Sequence, residues 1–178
     1  MAIAKRKKKF FDVNIPIIGK ETQMQGYEIA ELNGRFMKYD LTRMLKGKSV
    51  MLTLKVIVKD DEATATPTKL LILPYFIRRM VRKGTNYVED SFPTECKDAK
   101  LRIKPFLVTR RKVSRAVRTA LRNKAREELV NYAKDKTLEQ LFDEIIANRL
   151  QRQLSQKLKK IYPLALCEIK ALESKEKK

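Results

Sequence analysis

The clearest hydrophobic pattern in the chain is an alternation with a period of two residues from Val50 to Val58. Every second residue there is valine or leucine, and successive side chains of a strand point to opposite faces. The pattern therefore predicts a β-strand with one buried face. Shorter strands are predicted at residues 34–39, 69–73, 100–108 and 164–172. The polar segment 60–68 is expected to be a loop.

Three other segments space their apolar residues as a helix does. The first, 75–83, has apolar residues on one face and basic residues on the other. The second begins near Arg110 and continues to about Ala133. The third begins at Thr137, where the spacing to Gln140 matches a capping box. It is predicted as one helix that ends before Pro163.

The helix predicted from Arg110 has two chemically different faces in its first turns. At about 100° per residue, four arginines fall within about 60° of one another: Arg111, Arg115, Arg118 and Arg122. The opposite side carries Val113, Ala116, Val117 and Ala120. We expect this apolar side to pack on the protein and the arginines to face phosphate. Because Leu129 and Ala133 project onto the arginine side, the helix should bend near Lys124 or change its packing partner.

The order of these elements predicts an α+β fold in a single domain. Strands dominate residues 10–108, helices dominate 109–163, and a last strand occupies 164–172. We see no internal repeat and no linker, so one domain over 10–172 is favoured. The basic residues 1–9 are expected to form a disordered arm, and 173–178 a solvated tail.

Positive charge is extreme and uneven along the chain. The net charge is +20 and the isoelectric point is about 10.1. Residues 1–126 hold 30 basic and 12 acidic side chains, and 100–126 hold eleven basic side chains without one acid. A protein with such a charge attracts polyanions. RNA, DNA and an anionic membrane are therefore the candidate partners.

The sequence lacks the common motifs of enzyme active sites. It has no histidine, which excludes Ser/His/Asp and Cys/His catalytic sites and histidine-containing metal sites. Its five glycines form neither GxGxxG nor a P-loop. The two cysteines lie 71 positions apart and are interpreted as reduced thiols. We expect no catalytic residue, no metal, no cofactor, no small-molecule substrate, no signal peptide and no membrane span.

Arginine and lysine side chains are the candidate RNA-binding residues, because guanidinium and ammonium donors suit phosphate oxygens. The candidates are Lys5, Arg6, Lys7, Lys8, Lys9, Arg78, Arg79, Arg82, Lys83, Arg102, Lys104, Arg110, Arg111, Arg115, Arg118 and Arg122. Tyr39, Tyr75 and Phe106 could stack on bases, although each is also a plausible core residue. Charge runs are often only solvated surface, but 27 residues without an acid make that interpretation less favoured here.

The ordered set of motifs resembles a known family. The resembling segments are Lys9-Phe10-Phe11-Asp12-Val13, Gly34-Arg35, the strand 50–58, the basic segment 75–83, Leu101-Arg102-Ile103-Lys104-Pro105, Thr109-Arg110-Arg111 and Ile161-Tyr162-Pro163-Leu164. Over roughly residues 8–172 this order is similar to that of the archaeal and eukaryotic small-subunit ribosomal proteins called eS one, formerly S three A e. This chain is shorter than is usual in that family, and its segment 16–32 matches poorly.

The resemblance implies a β-rich N-terminal part curled toward a barrel, with helices packed on it. It also implies a structural, non-catalytic role in the cytoplasm, on the platform of the small ribosomal subunit near the messenger exit. The implied partners are small-subunit ribosomal RNA and neighbouring platform proteins. A basic DNA- or chromatin-binding protein remains the alternative, although no helix-turn-helix, homeodomain or zinc-finger pattern is present.

Overall fold

The computed structural model describes residues 7–60 and 62–175. Within these ranges the strands are β1 Lys9–Ile15, β2 Lys20–Gly26, β3 Phe36–Asp40, β4 Val50–Lys59, β5 Glu62–Ile72, β6 Tyr87–Glu89, β7 Phe92–Glu95, β8 Lys100–Thr109 and β9 Leu164–Lys175. The α-helices are α1 Pro74–Met80, α2 Arg115–Lys134, α3 Leu138–Ile146 and α4 Arg149–Leu158, and a 3₁₀-helix covers Ile29–Leu32.

The described residues form two compact units. The first contains residues up to 39 together with 53–68, and the second contains 40–52 together with 69 onward. Strands β4 and β5 contribute residues to both units. The single-domain interpretation of residues 10–172 stays a prediction.

In the first unit, β1 pairs with β2 antiparallel and with β5 parallel. Val13 and Ile15 are fully buried while the intervening Asn14 is exposed, so β1 has one core face and one solvent face. A positive φ of 65° at Gly19 makes the reversal between β1 and β2, in the region that glycine adopts without steric cost.

The prediction of a loop at 60–68 is wrong, because β5 begins at Glu62. Threonines at every second position of β5 donate their hydroxyls to β4 carbonyls. Thr64 bonds to Ile57 O at 3.2 Å, Thr66 to Lys55 O at 3.2 Å and Thr68 to Thr53 O at 3.0 Å. The alternate residues, Ala63, Ala65 and Pro67, are buried. The buried residues of β5 therefore recur with a period of two. Hydropathy does not reveal this period because the buried residues are small and only weakly hydrophobic.

In the second unit, β8 is paired on both sides. One side pairs antiparallel with β9 along nearly its whole length, and the other with β6 and β7. The register between β8 and β9 shifts at Lys104 and Pro105. Because proline has no N–H to donate, such an irregularity is how it fits inside a paired strand. From Pro105 to Thr109 every residue of β8 is buried.

The predicted helical faces of the arginine segment were partly wrong. Helix α2 begins at Arg115, after Ser114 caps it by accepting from Val117 N, rather than near Arg110. Ala116 and Ala120 are exposed and Val117 is only half-buried. The buried stripe is Leu121, Ala125, Leu129 and Ala133, each at most 2% exposed.

Four-residue spacing explains this stripe, because it drifts about 40° around the helix at each step. Helix α2 accordingly contacts β6, β7 and α4. The Arg126 guanidinium lies over the Phe92 ring of β7, 5.4 Å from its centroid. Further along, Glu128 accepts from Lys157 of α4 at 2.5 Å. The expected change of packing partner therefore occurs along one helix.

The capping box at Thr137 and Gln140 is confirmed, but the helix that it starts is not continuous to Pro163. Asn148 adopts a φ of 62°, in the left-handed region that asparagine tolerates, and separates α3 from α4. The buried side chain of Gln151 donates to Ile145 O at 3.0 Å, which partly replaces the hydrogen bonds lost at the break.

Helix α1 is shorter than predicted. It ends at Met80, and Val81 is already extended, so Arg82 and Lys83 lie beyond the helix instead of on its basic face. Phe76 is its buried anchor. Lys9, predicted within the basic arm, is the first residue of β1, and residues 173–175, predicted within the solvated tail, belong to β9. Residues 1–6 and 176–178 lie outside the described part of the chain.

The α+β class is confirmed. The strands pair mostly antiparallel, three of the four described α-helices follow one another between Arg115 and Leu158, and the sheet is not closed. Strand β9 follows these helices and pairs with both β8 and β5.

Replacing Leu121 with alanine should lower the free energy of unfolding by about 2–5 kcal/mol, because Leu121 is fully buried. Val117→Ala should cost less than about 1 kcal/mol, since Val117 is half-buried and alanine favours helix. Urea unfolding of both variants gives the two values. A greater loss for Val117→Ala would contradict the buried stripe.

Burial raises the pKa of the Cys167 thiol to about 12, and the neighbouring Glu168 carboxylate adds to the shift. The folded protein thus favours the neutral thiol, and this contribution to stability is lost as pH rises above about 9. At pH 10, iodoacetamide should alkylate Cys167 in the folded Cys96→Ser variant on the order of 100-fold more slowly than in urea. Equal rates would show that the thiol is not desolvated.

Candidate nucleic-acid interface

The predicted RNA-binding side chains are mostly at the surface. Lys5 and Arg6 lie outside the described residues. Eleven others are exposed: Lys7, Lys8, Lys9, Arg78, Arg79, Arg82, Lys83, Arg110, Arg111, Arg115 and Arg122. Arg102, Lys104 and Arg118 are half-buried. The first three exposed lysines belong to the first compact unit, and the remaining described candidates to the second.

Polar contacts fix the connection that carries Arg110 and Arg111. The buried Thr109 hydroxyl accepts from Asn86 N at 3.0 Å and lies 2.7 Å from Arg111 O. The Asn86 side chain accepts from Val113 N at 2.9 Å. These bonds join the end of β8 and the residues before α2 to the segment that enters β6. These hydrogen bonds therefore hold the first turn of α2 beside β6.

Three arginines of α2 come together at this place. Arg115, Arg118 and Arg122 line a cleft of about 300 Å³ with Thr119 and with two residues of β6, Tyr87 and Val88. The spacing of three and four residues puts the arginines on one helix face, as predicted. That face looks across the cleft toward an aromatic side chain, which the sequence did not predict.

These guanidinium groups have no acidic partner among the described residues. No ion pair within residues 7–60 and 62–175 involves Arg115, Arg118 or Arg122, and α2 has no acid before Glu127. The Arg118 Nε is buried without a hydrogen-bond partner in the described structure. The exposed guanidinium groups of Arg115 and Arg122 are available to an anion.

The basic residues of β8 are more engaged with the protein. Lys104 lies 3.3 Å from the Glu173 carboxylate, which also pairs with Lys69 at 3.0 Å. Although partial burial raises the pKa of Glu173, hydrogen bonds from the two lysines hold it below its usual value. The neighbouring Arg102 is half-buried with its Nε unpartnered in the described structure. This strand therefore presents less free charge than its sequence indicates.

Tyr87 is the aromatic residue of the cleft, and sequence reasoning missed it. This residue is 55% exposed, and its ring stacks on Phe106 with ring centroids 6.0 Å apart. Of the residues considered for base stacking, Phe106 is buried, Tyr39 is half-buried and Tyr75 is 46% exposed. A three-residue strand such as β6 gives no periodic signal, so its side-chain directions could not be inferred from the sequence.

Two further features, a metal site and a membrane-spanning helix, are not found among the described residues. Within them, no three or more Cys, Asp or Glu side chains are grouped as a metal site would require. No helix in the same ranges has both the length and the hydropathy of a membrane span.

The chain is similar to known proteins along almost its whole length. The model of the ribosomal S3Ae family matches residues 4–177. A small ribosomal subunit protein eS1 from Methanothermobacter thermautotrophicus is 31% identical over 113 residues, 63% of this chain and 58% of the relative. The eS1 protein of Nanoarchaeum equitans is 27% identical, covering 97% of this chain and 92% of the relative. The eS1 protein of Saccharolobus islandicus is 25% identical, and the match covers 92% of this chain and 83% of the relative. On this match, the chain belongs to the ribosomal S3Ae family.

Proposed function

We propose that this protein is a structural, non-catalytic component of the small ribosomal subunit and that it binds ribosomal RNA through the arginine face of α2. The observation that carries the proposal is the cluster of Arg115, Arg118 and Arg122, which have no acidic partner in the described residues. Relatives in the same family are small ribosomal subunit proteins by name.

The high positive charge of the chain supports a role in assembly with RNA. A net charge of +20 repels itself in the free protein, and a polyanion relieves that repulsion. The exposed Arg110 and Arg111 continue the basic surface from α2 along the preceding connection. The proposal extends to the basic residues of α1 and β8, to Arg82 and Lys83, and to the basic residues of the segment 5–9 as further RNA contacts.

The location that we propose is the platform of the subunit, near the messenger exit, on cytoplasmic ribosomes. This location rests on the family resemblance. Neighbouring proteins are expected to cover exposed apolar side chains. Phe10 and Phe36 of the first unit are 62% and 63% exposed, more than a protein that works alone usually leaves for phenylalanine.

Binding to DNA is the less favoured alternative. Helices α2 and α3 are separated by a short turn, as the two helices of a helix-turn-helix are. The second helix would have to read the major groove, but α3 has no basic residue and carries Glu139, Asp143 and Glu144. An acidic helix is repelled by phosphate, so this pair of helices lacks the chemistry of a DNA reader.

Replacing Arg111, Arg115 and Arg122 with glutamine should weaken binding to small-subunit ribosomal RNA without unfolding the protein, because all three are exposed. Each lost phosphate contact reduces the magnitude of the slope of log affinity against log salt by about 1. The slope of the triple variant should therefore be smaller in magnitude by about 3. Filter binding between 50 and 200 mM salt measures this slope.

The matched control replaces Arg149, Arg152 and Lys160 with glutamine, which removes the same charge from exposed positions in and just after α4. The control should retain most of the slope. Equal losses in both variants would mean that only the overall charge matters and would remove α2 from the interface. Preference for duplex DNA over ribosomal RNA at equal salt would favour the alternative function.

A further inference from the structure

We infer that the cleft between β6 and α2 is a pocket for one unstacked base of single-stranded RNA, with the base on Tyr87 and the adjoining phosphates on Arg115 and Arg122. This inference rests on the proposed function and adds a specific subsite to it. The cleft has a volume of about 300 Å³, at the lower end of the range of small-ligand pockets. A duplex cannot enter such a space, but a base that has left its stack can.

The aromatic wall is arranged for stacking before any ligand arrives. One side of the Tyr87 ring is supported by Phe106, at an interplanar angle of 25°, while Tyr87 as a whole remains 55% exposed. Antiparallel pairing with Val108 fixes the Tyr87 backbone in the sheet. RNA-binding proteins stack unpaired bases on aromatic rings that are held in this way, whatever the base.

The opposite wall is cationic and fixed by the helix. Arg118 is half-buried, its Nε is enclosed without a partner in the described structure, and it pairs with no described carboxylate. Arg115 and Arg122 are exposed on either side of it. Thr119 donates its hydroxyl to Arg115 O at 3.1 Å, so its oxygen is left as an acceptor at the cleft. The walls thus offer a π face, cationic donors and one acceptor.

This combination favours a nucleotide over an acidic peptide. A peptide carboxylate would use the arginines but would gain nothing from the exposed face of Tyr87. A nucleotide uses both walls, because base and phosphate are covalently joined. The inference therefore predicts that removing the base weakens binding even when every phosphate remains.

The experiment compares two five-residue RNA oligomers, oligoadenylate and the same sugar–phosphate backbone with all five bases removed, on the ¹⁵N-labelled full chain. Both should bind through phosphate, but only oligoadenylate should shift the amide signals of Tyr87, Val88 and Thr119. Its affinity should exceed that of the abasic oligomer by about 5- to 150-fold, the usual effect of one base stacked on an aromatic ring.

Tyr87→Ala should remove this difference between the two oligomers, whereas Tyr87→Phe should keep it. Tyr75→Ala, which removes another exposed tyrosine, is the matched control and should keep it too. The comparison of oligomers on the unaltered protein stands even if Tyr87→Ala unfolds.

Equal affinities for the two oligomers, with salt-dependent binding intact, would overturn the pocket and leave the proposed function standing. Loss of binding to both oligomers and to ribosomal RNA would instead count against the proposed function. Shifts at Tyr87 with pentaglutamate but not with oligoadenylate would identify a peptide site and overturn the inference.

Discussion

Repulsion among like charges is the constraint on which the arrangement of this protein depends. Eleven basic side chains lie between Lys100 and Arg126 without an intervening acid. The fold separates this charge between β8 and α2. On β8, the Glu173 carboxylate offsets Lys104. On α2, a buried stripe holds the helix in place while its arginines stay unpaired in the described structure. Folding energy from burial thus sustains a basic surface, and such a surface attracts polyanions.

A small polar cluster decides where that surface faces. Thr109 and Asn86 join the end of β8 to the start of β6 and, through Val113 N, to the residues before α2. Without these bonds, the connection that contains Arg110 and Arg111 would have buried polar groups to satisfy and no fixed direction. With them, the first turns of α2 and Tyr87 line one cleft. The candidate interface is therefore a product of buried hydrogen bonds as much as of exposed charge.

The sequence predicted the elements whose signals are local. The alternation from Val50 gave β4, and the capping box at Thr137 gave the start of α3. Prediction from the sequence failed for elements whose structure depends on hydrogen-bond partners far away along the chain, or whose buried residues are small. The loop prediction for the first part of β5, residues 62–68, is wrong because the inward residues there are alanine and proline, and the threonines look polar until β4 carbonyls lie beside them.

The basic side chains of the candidate site are predicted from the sequence, but their arrangement in space is not. The arginines of α2 share a face, as their spacing requires. Predicting this shared face needs only the helical period and no knowledge of tertiary contacts. The buried side was misplaced because the stripe from Leu121 is set by contacts with β6, β7 and α4. Tyr87 could not be found because its position opposite the arginines depends on bonds from Asn86 to residues more than twenty positions away.

Sedimentation of the protein from its native cells through a sucrose gradient tests the central claim most directly. The claim is that unpaired basic charge on this fold serves assembly with ribosomal RNA. We expect the protein to travel with small ribosomal subunits at low salt and to be released only when salt is raised enough to compete for phosphate. Migration with chromatin, or as a free protein at low salt, would contradict it.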